Sequence, residues 1–263
     1  MLSEPQAILF ETQLGWPPAE IVAFRPTKDF VRGLYNALHE TEFNEFVYQN
    51  LELQGLSLYS KHEEGGVSRI KFNDGHIAIT EENSGTTVED FVRRVRTVST
   101  ALAQVSAKYE LGSVPLFTQR CKINCLSQPN EVSPLDLLAS RMSVVKEEIE
   151  PFGRPPAFFG VRFRFPPVTI VEDDEETIAE ELEDYCVVRF ETYSDDQSKV
   201  WMEVASSRLF KSAVDFSDDG QQIVEAGIRC AYKFLSENCK NFLDQFDKRD
   251  SPESGENHGN SNS

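Results

Sequence analysis

Phe10, Thr12, Leu14 and Trp16 fall on alternate positions, so residues 7–16 are predicted to form a strand with one buried face. Pro17 and Pro18 end it, since neither can donate a ladder hydrogen bond. The period then changes: Phe30, Val31, Leu34 and Leu38 recur at helical spacing behind Thr27, a suitable N-cap. "NLELQGLSLYS" (50–60) returns to alternation, with Gly55 moving the phase from Leu51 and Leu53 to Leu56 and Leu58, as a bulge would. "VSRIKFNDGHIAIT" (67–80) reads as a hairpin that turns at Asn73-Asp74-Gly75. Val88, Phe91, Val92, Val95, Val98, Leu102, Val105 and Tyr109 then make one face of a long helix. Gly112 breaks it, and "VPLFTQRCKINCLS" (114–127) reads as another strand.

The second half repeats this order of elements. In "AFFGVRFRFPP" (157–167), Phe159, Val161, Phe163 and Phe165 alternate before two prolines, as the residues before Pro17-Pro18 do, and Ile-Val follows both pairs of prolines. An acidic helix is expected at about residues 174–185. "YCVVRFETY" and "KVWMEVASS" form a hairpin around "SDDQS", and "RLFKSAVDF" is a further strand. The last helix carries Ile223, Val224, Ile228, Ala231, Phe234, Leu235, Phe242 and Phe246 on one face. The pattern predicts an α+β chain built from an internally duplicated unit of mainly antiparallel strands, with one long helix per copy. The copies are residues 1–130 and 155–247, joined by a helical connector at 131–154. Residues 248–263 lack apolar side chains and are expected to form a disordered tail.

Charge narrows the partners. The 263 residues carry a net charge of −18, and both halves are acidic, at −7 over residues 1–150 and −11 over residues 151–263. Long-range attraction to nucleic acid or to an anionic membrane surface is disfavoured. No apolar run reaches membrane-span length and no secretory signal follows the start, so a cytoplasmic chain is expected. Five cysteines without a CxxC fit reduced thiols, with Cys230 and Cys239 on or near the buried face of the last helix.

Candidate chemistry is sparse. His39 ends the first helix, where a cation suits the helix C-terminus. His62 and His76 lie at neighbouring turns near Glu63 and Asp74, without the spacing of a known zinc site. Cys121 and Cys125 share a strand face too far apart to chelate one ion. "DFSDDGQQIVEA" matches the first positions of a calcium loop, but Ala226 stands where the bidentate glutamate belongs; Asp218 or Asp219 is instead expected to cap the last helix. Phosphate-binding glycine loops and a GxSxG elbow do not occur. No metal or cofactor is expected. Two charge features remain. Residues 172–184 hold nine acids and no base, among them Glu172, Asp173, Asp174, Glu175, Glu176, Glu180 and Glu181. Arg93, Arg94 and Arg96 are expected on the solvent side of the first long helix.

Three stretches carry a resemblance: "EPQAILFETQLGW", "VPLFTQRCKINCLSQPNEVSPLDLL" and "AVDFSDDGQQIVEAGIRCAYKFLSENCKNFL". In them the chain resembles a sporadically distributed family of uncharacterised bacterial proteins of similar length. In that family the middle strand holds an arginine, then an asparagine, then a proline and a short helix. Arg120, Asn124 and Pro129 fill similar places here. The resemblance implies a bacterial cytosolic origin and transfers no activity and no catalytic residue.

The expectation is a non-enzymatic binding or interaction protein whose partner is another protein. In its sharper form the acidic run neutralises or regulates a basic partner. The alternative is a small-ligand binder or enzyme that uses a cleft between the copies, with Arg120, Arg162 and Arg164 clamping an anion. An ordered cluster of these arginines with a histidine would favour that alternative.

Overall fold

The structure, a computed structural model, describes residues 1–16, 27–45, 47–52, 55–62, 65–73, 75–143, 156–170, 182–216 and 218–247. Nine strands are described: β1 (Gln6–Gly15), β2 (Val47–Glu52), β3 (Gly55–Lys61), β4 (Val67–Phe72), β5 (His76–Glu82), β6 (Pro115–Ser127), β7 (Gly160–Ile170), β8 (Leu182–Thr192) and β9 (Val200–Asp215). They form one antiparallel sheet in the order β2-β3-β4-β5-β1-β6-β9-β8-β7. The described helices are α1 (Lys28–His39), α2 (Val88–Lys108), α3 (Asp218–Lys233) and α4 (Lys240–Asp244), with a π-helical turn, Phe234–Cys239, joining the last two.

Alternation in the strands decides which face the helices take. Phe10, Thr12 and Leu14 on β1 stand beside Ile77 and Ile79 on β5 and Cys121 and Ile123 on β6, and all are buried. The Phe10 ring stacks on Phe91 of α2 at 5.2 Å and meets Tyr232 of α3 at 5.8 Å. At the other flank Phe163 and Phe190 meet Phe242 of α4 at 5.8 and 6.0 Å. The core is therefore one continuous layer between the sheet and the helices.

Both long helices begin as the caps require. Thr27 Oγ1 accepts from the Phe30 N–H at 3.2 Å, and Thr87 Oγ1 accepts from the Asp90 N–H at 3.2 Å. Helices α2 and α3 run antiparallel across the middle of the sheet. Arg96 Nε donates to Glu225 at 2.5 Å, and Arg229 donates to Glu89 at 2.8 Å. Gly227 lets α3 approach β6, because a Cβ there would stand 2.3 Å from Gln119 Oε1.

The sheet corrects several expectations. The phase shift at Gly55 is the end of a hairpin rather than a bulge, since Leu51 pairs with Leu56 and Glu52 with Gly55. The two runs expected at 199–207 and 208–216 are one strand, β9, which pairs with β6 over Val200–Leu209 and again at Val214–Asp215. Residues 182–185, expected to close an acidic helix, begin β8 instead. Of the connector, a π-helical segment at Asp136–Met142 is described, with Leu137 and Leu138 buried. Arg94 does not face solvent; it turns down to the sheet and pairs with buried Glu81. Cys230 is exposed rather than on the buried face. The two strands that share the Pro-Pro pattern hold unlike places, β1 in the middle of the sheet and β7 at its edge, and β7 continues through Pro166 and Pro167 to Ile170 rather than ending at them.

Candidate functional site

Opposite residues in paired strands point to the same side, so the register gives the composition of the face away from the helices. One row across it reads Lys71, Ala78, Gln13, Arg120, Ser207 and Tyr185. The next reads Arg69, Thr80, Glu11, Lys122, Ala205, Val187 and Arg164. A third reads Glu82, Leu9, Asn124, Glu203, Arg189 and Arg162. Among the described residues, cations outnumber carboxylates here, the reverse of the whole chain at −18. Glu203 is 5% exposed and held between Lys122 Nζ at 3.1 Å and Arg189 Nη1 at 3.4 Å. The Arg189 guanidinium also lies over the Trp201 ring at 5.2 Å, a cation–π contact.

All three arginines of the anion-clamp expectation lie on this face and are exposed, but they do not converge. Arg120 is on β6 and Arg162 and Arg164 are on β7, three strand spacings or about 14 Å away. Arg120 instead acts on His76 through its charge. Burial lowers the imidazole pKa, and the charges of Lys71 and Arg120 lower it further. Asn73 Nδ2 stands 3.0 Å from His76 Nε2, and Gly15, directly opposite His76, leaves the floor between them to Thr118. Protonation of His76 is resisted by two neighbouring cations, so this corner favours an anion as its next neighbour.

A second polar cluster is buried under α2. Ser68 Oγ donates to Glu81 Oε2 at 2.5 Å, stands 2.6 Å from His62 Nε2 and accepts from Arg94 Nη1 at 3.1 Å. Arg94 Nη1 also pairs with Glu81 Oε1. This is not a hydrolytic triad. The carboxylate holds the serine rather than orienting the histidine, and Ser68 is 0% exposed, out of reach of a substrate. The cluster compensates a buried charge. Its signal in the sequence was Glu81 sharing the inward phase of Ile77 and Ile79 on β5.

A groove of about 330 Å³ opens between β7 and the last helix, lined chiefly by Phe163, Phe165, Phe190, Phe234 and Phe242. Phe165 is 43% exposed at its rim.

The remaining candidates are dispersed. His39 ends α1 and stacks on Tyr35 at 5.9 Å. Burial pushes the thiols of Cys125 and Cys239 up to about 12, which leaves both unreactive near neutral pH. No group of three metal-ligating side chains occurs among the described residues. Glu172, Asp173, Asp174, Glu175, Glu176, Glu180 and Glu181 of the acidic run, and the tail at 248–263, lie outside the described residues. Among the described residues no helix is long and apolar enough to cross a membrane. Comparison with known proteins found no matching family model, curated protein or solved structure.

Proposed function

We propose that this chain is a non-enzymatic, cytosolic binding protein that engages another protein through the sheet face its helices leave uncovered. One observation carries the reading: a nine-stranded sheet with every described helix on one side and a cation-rich face on the other, in a chain of net charge −18. A polar face of that breadth needs no cover for stability, and its charge opposes that of the rest of the molecule. Glu11, Glu203 and Glu191 interleave with the cations, and the overall field repels a polyanion, which favours a protein over nucleic acid. An internal duplication belongs to this reading. Three antiparallel strands followed by a long helix occur twice, as β3-β4-β5-α2 and β7-β8-β9-α3 on opposite flanks of the β1–β6 pair; this supports a repeat that sets β7 against β3, not against β1 as the shared prolines do. The resemblance to a bacterial family without an assigned activity agrees with it. The narrower version, in which residues 172–184 neutralise a basic partner, is supported by the composition of that run.

The test is capture from native extract at low and high salt, with the wild type, an Arg120→Glu/Lys122→Glu variant and a variant neutralised across residues 172–184. A stoichiometric protein lost with the first variant supports the sheet face. Loss with the second alone moves the contact to the acidic run. Retention by both, or no retained protein, sinks the reading.

A second reading, binding of a small anion, is favoured by the corner at His76, a partly buried imidazole within the field of Lys71 and Arg120. Titration with inorganic phosphate, followed by the His76 ring resonances, tests it. Binding raises the depressed His76 pKa toward and beyond its ordinary value of 6.5, and an unmoved titration excludes the site.

A further inference from the structure

Strand β7 ends the sheet, and no described strand pairs with its outer edge. An edge strand presents alternate N–H and C=O groups without ladder partners. The window for pairing is Gly160–Phe165, because Pro166 and Pro167 interrupt the donors and the β7–β8 register shifts there. Within that window the two faces differ in chemistry. Arg162 and Arg164 are exposed on the uncovered face. Phe163 and Phe165 point the other way, into the aromatic groove beside Phe234 and Phe242.

A strand added to β7 must alternate in the same manner, since its successive side chains point to opposite faces. Those beside Arg162 and Arg164 are stabilised by negative charge and destabilised by positive charge. Those on the other face lie along a groove lined by phenylalanine rings and take apolar side chains. A second copy of this chain is a poor occupant. Antiparallel pairing of β7 with itself sets at least one arginine against an arginine in every face-matched register that pairs more than three residues of the window.

We propose that β7 is a docking edge for an extended segment of a partner protein in which acidic residues alternate with apolar ones. The segment adds a tenth strand, its carboxylates pairing with Arg162 and Arg164 and its apolar side chains filling the groove at Phe163 and Phe165. This rests on the reading of the chain as a binding protein and names the chemistry of its partner.

The experiment uses the full chain and fluorescent synthetic peptides. One alternates glutamate and valine, a second has the same composition with its glutamates contiguous, and a third is the alternating peptide N-methylated at every second amide. The alternating peptide is expected to bind, with contiguous ordering and an Arg162→Glu/Arg164→Glu variant each weakening it by about tenfold or more. N-methylation along the pairing edge abolishes binding without any change to the protein. Equal binding of the two unmethylated orderings, no effect of N-methylation, or no effect of the arginine reversal overturns the proposal. So does a concentration-dependent dimer of the free chain that the arginine reversal strengthens, since β7 then belongs to a second copy. If extract capture persists, is lost with Arg120→Glu and is indifferent to the β7 variant, the binding reading stands and the edge proposal alone falls.

Discussion

Arg94 illustrates how one side chain departs from its pattern for an electrostatic reason. Its place in "RRVR" put it beside two exposed arginines, yet Glu81 is 2% exposed and needs a cation. Arg93 and Arg96 keep the surface, Arg93 with Asp90 and Glu42, Arg96 with Glu225. Removing a single partner of a buried pair leaves an uncompensated charge. Arg94→Met is therefore expected to lower unfolding stability by about 3 kcal/mol in urea denaturation. Combining it with Glu81→Gln should recover a large part of that loss, because no ion is then stranded. Additive losses in the double variant would mean that the pair does not act as a unit.

At the scale of elements, the helices were legible because their apolar stripes are long and their caps explicit. Thr27 accepts the bond its spacing predicted. Strand count was less legible: a hairpin and a bulge both disturb the two-residue period at Gly55, and only pairing separates them. Likewise nothing local announces that β9 runs unbroken through Ser206 and Ser207; β6, pairing alongside, does that. The candidate site was legible as residues and not as geometry. Arg120, Arg162 and Arg164 were nominated, but strand order sets Arg120 in the middle of the sheet, where its charge acts on His76, while the other two share the β7 edge. The close approach of α3 to β6 was also hidden, since Gly227 looks like any helix glycine. Gly227→Ala would ordinarily favour a helix. Here the new Cβ would stand 2.3 Å from Gln119 Oε1, and Gln119 Nε2 is already bonded to the Val224 carbonyl at 2.7 Å. A loss of about 1–3 kcal/mol is expected in chemical denaturation, and a stability gain would show that Gln119 gives way freely.

The whole molecule is closed by contacts between segments far apart in the chain, and Asp247 gathers three of them. Its carboxylate is 2.7 Å from the Met1 ammonium and accepts the N–H groups of Asn130 and Glu131, each at 3.1 Å. Lys240 and Asp244 add a second tie in the same place, with the Leu2 N–H donating to Asp244. Burial alone would raise the pKa of Asp247, but the ammonium and the two backbone donors together hold it below the ordinary 3.8. A carboxyl depressed in the folded state stabilises the fold above its unfolded value and loses that contribution as pH falls through the folded one. Asp247→Asn should therefore cost about 2 kcal/mol near neutral pH, where the carboxylate is fully ionised. The difference from wild type should shrink as pH drops below 3.8, where the wild-type carboxyl takes up its proton. Denaturation of both proteins across that range measures it. A difference that stays constant with pH would assign the role of Asp247 to its shape and neutral hydrogen bonds, and the charge would then have no part in holding the first residues of the chain against the last described helix.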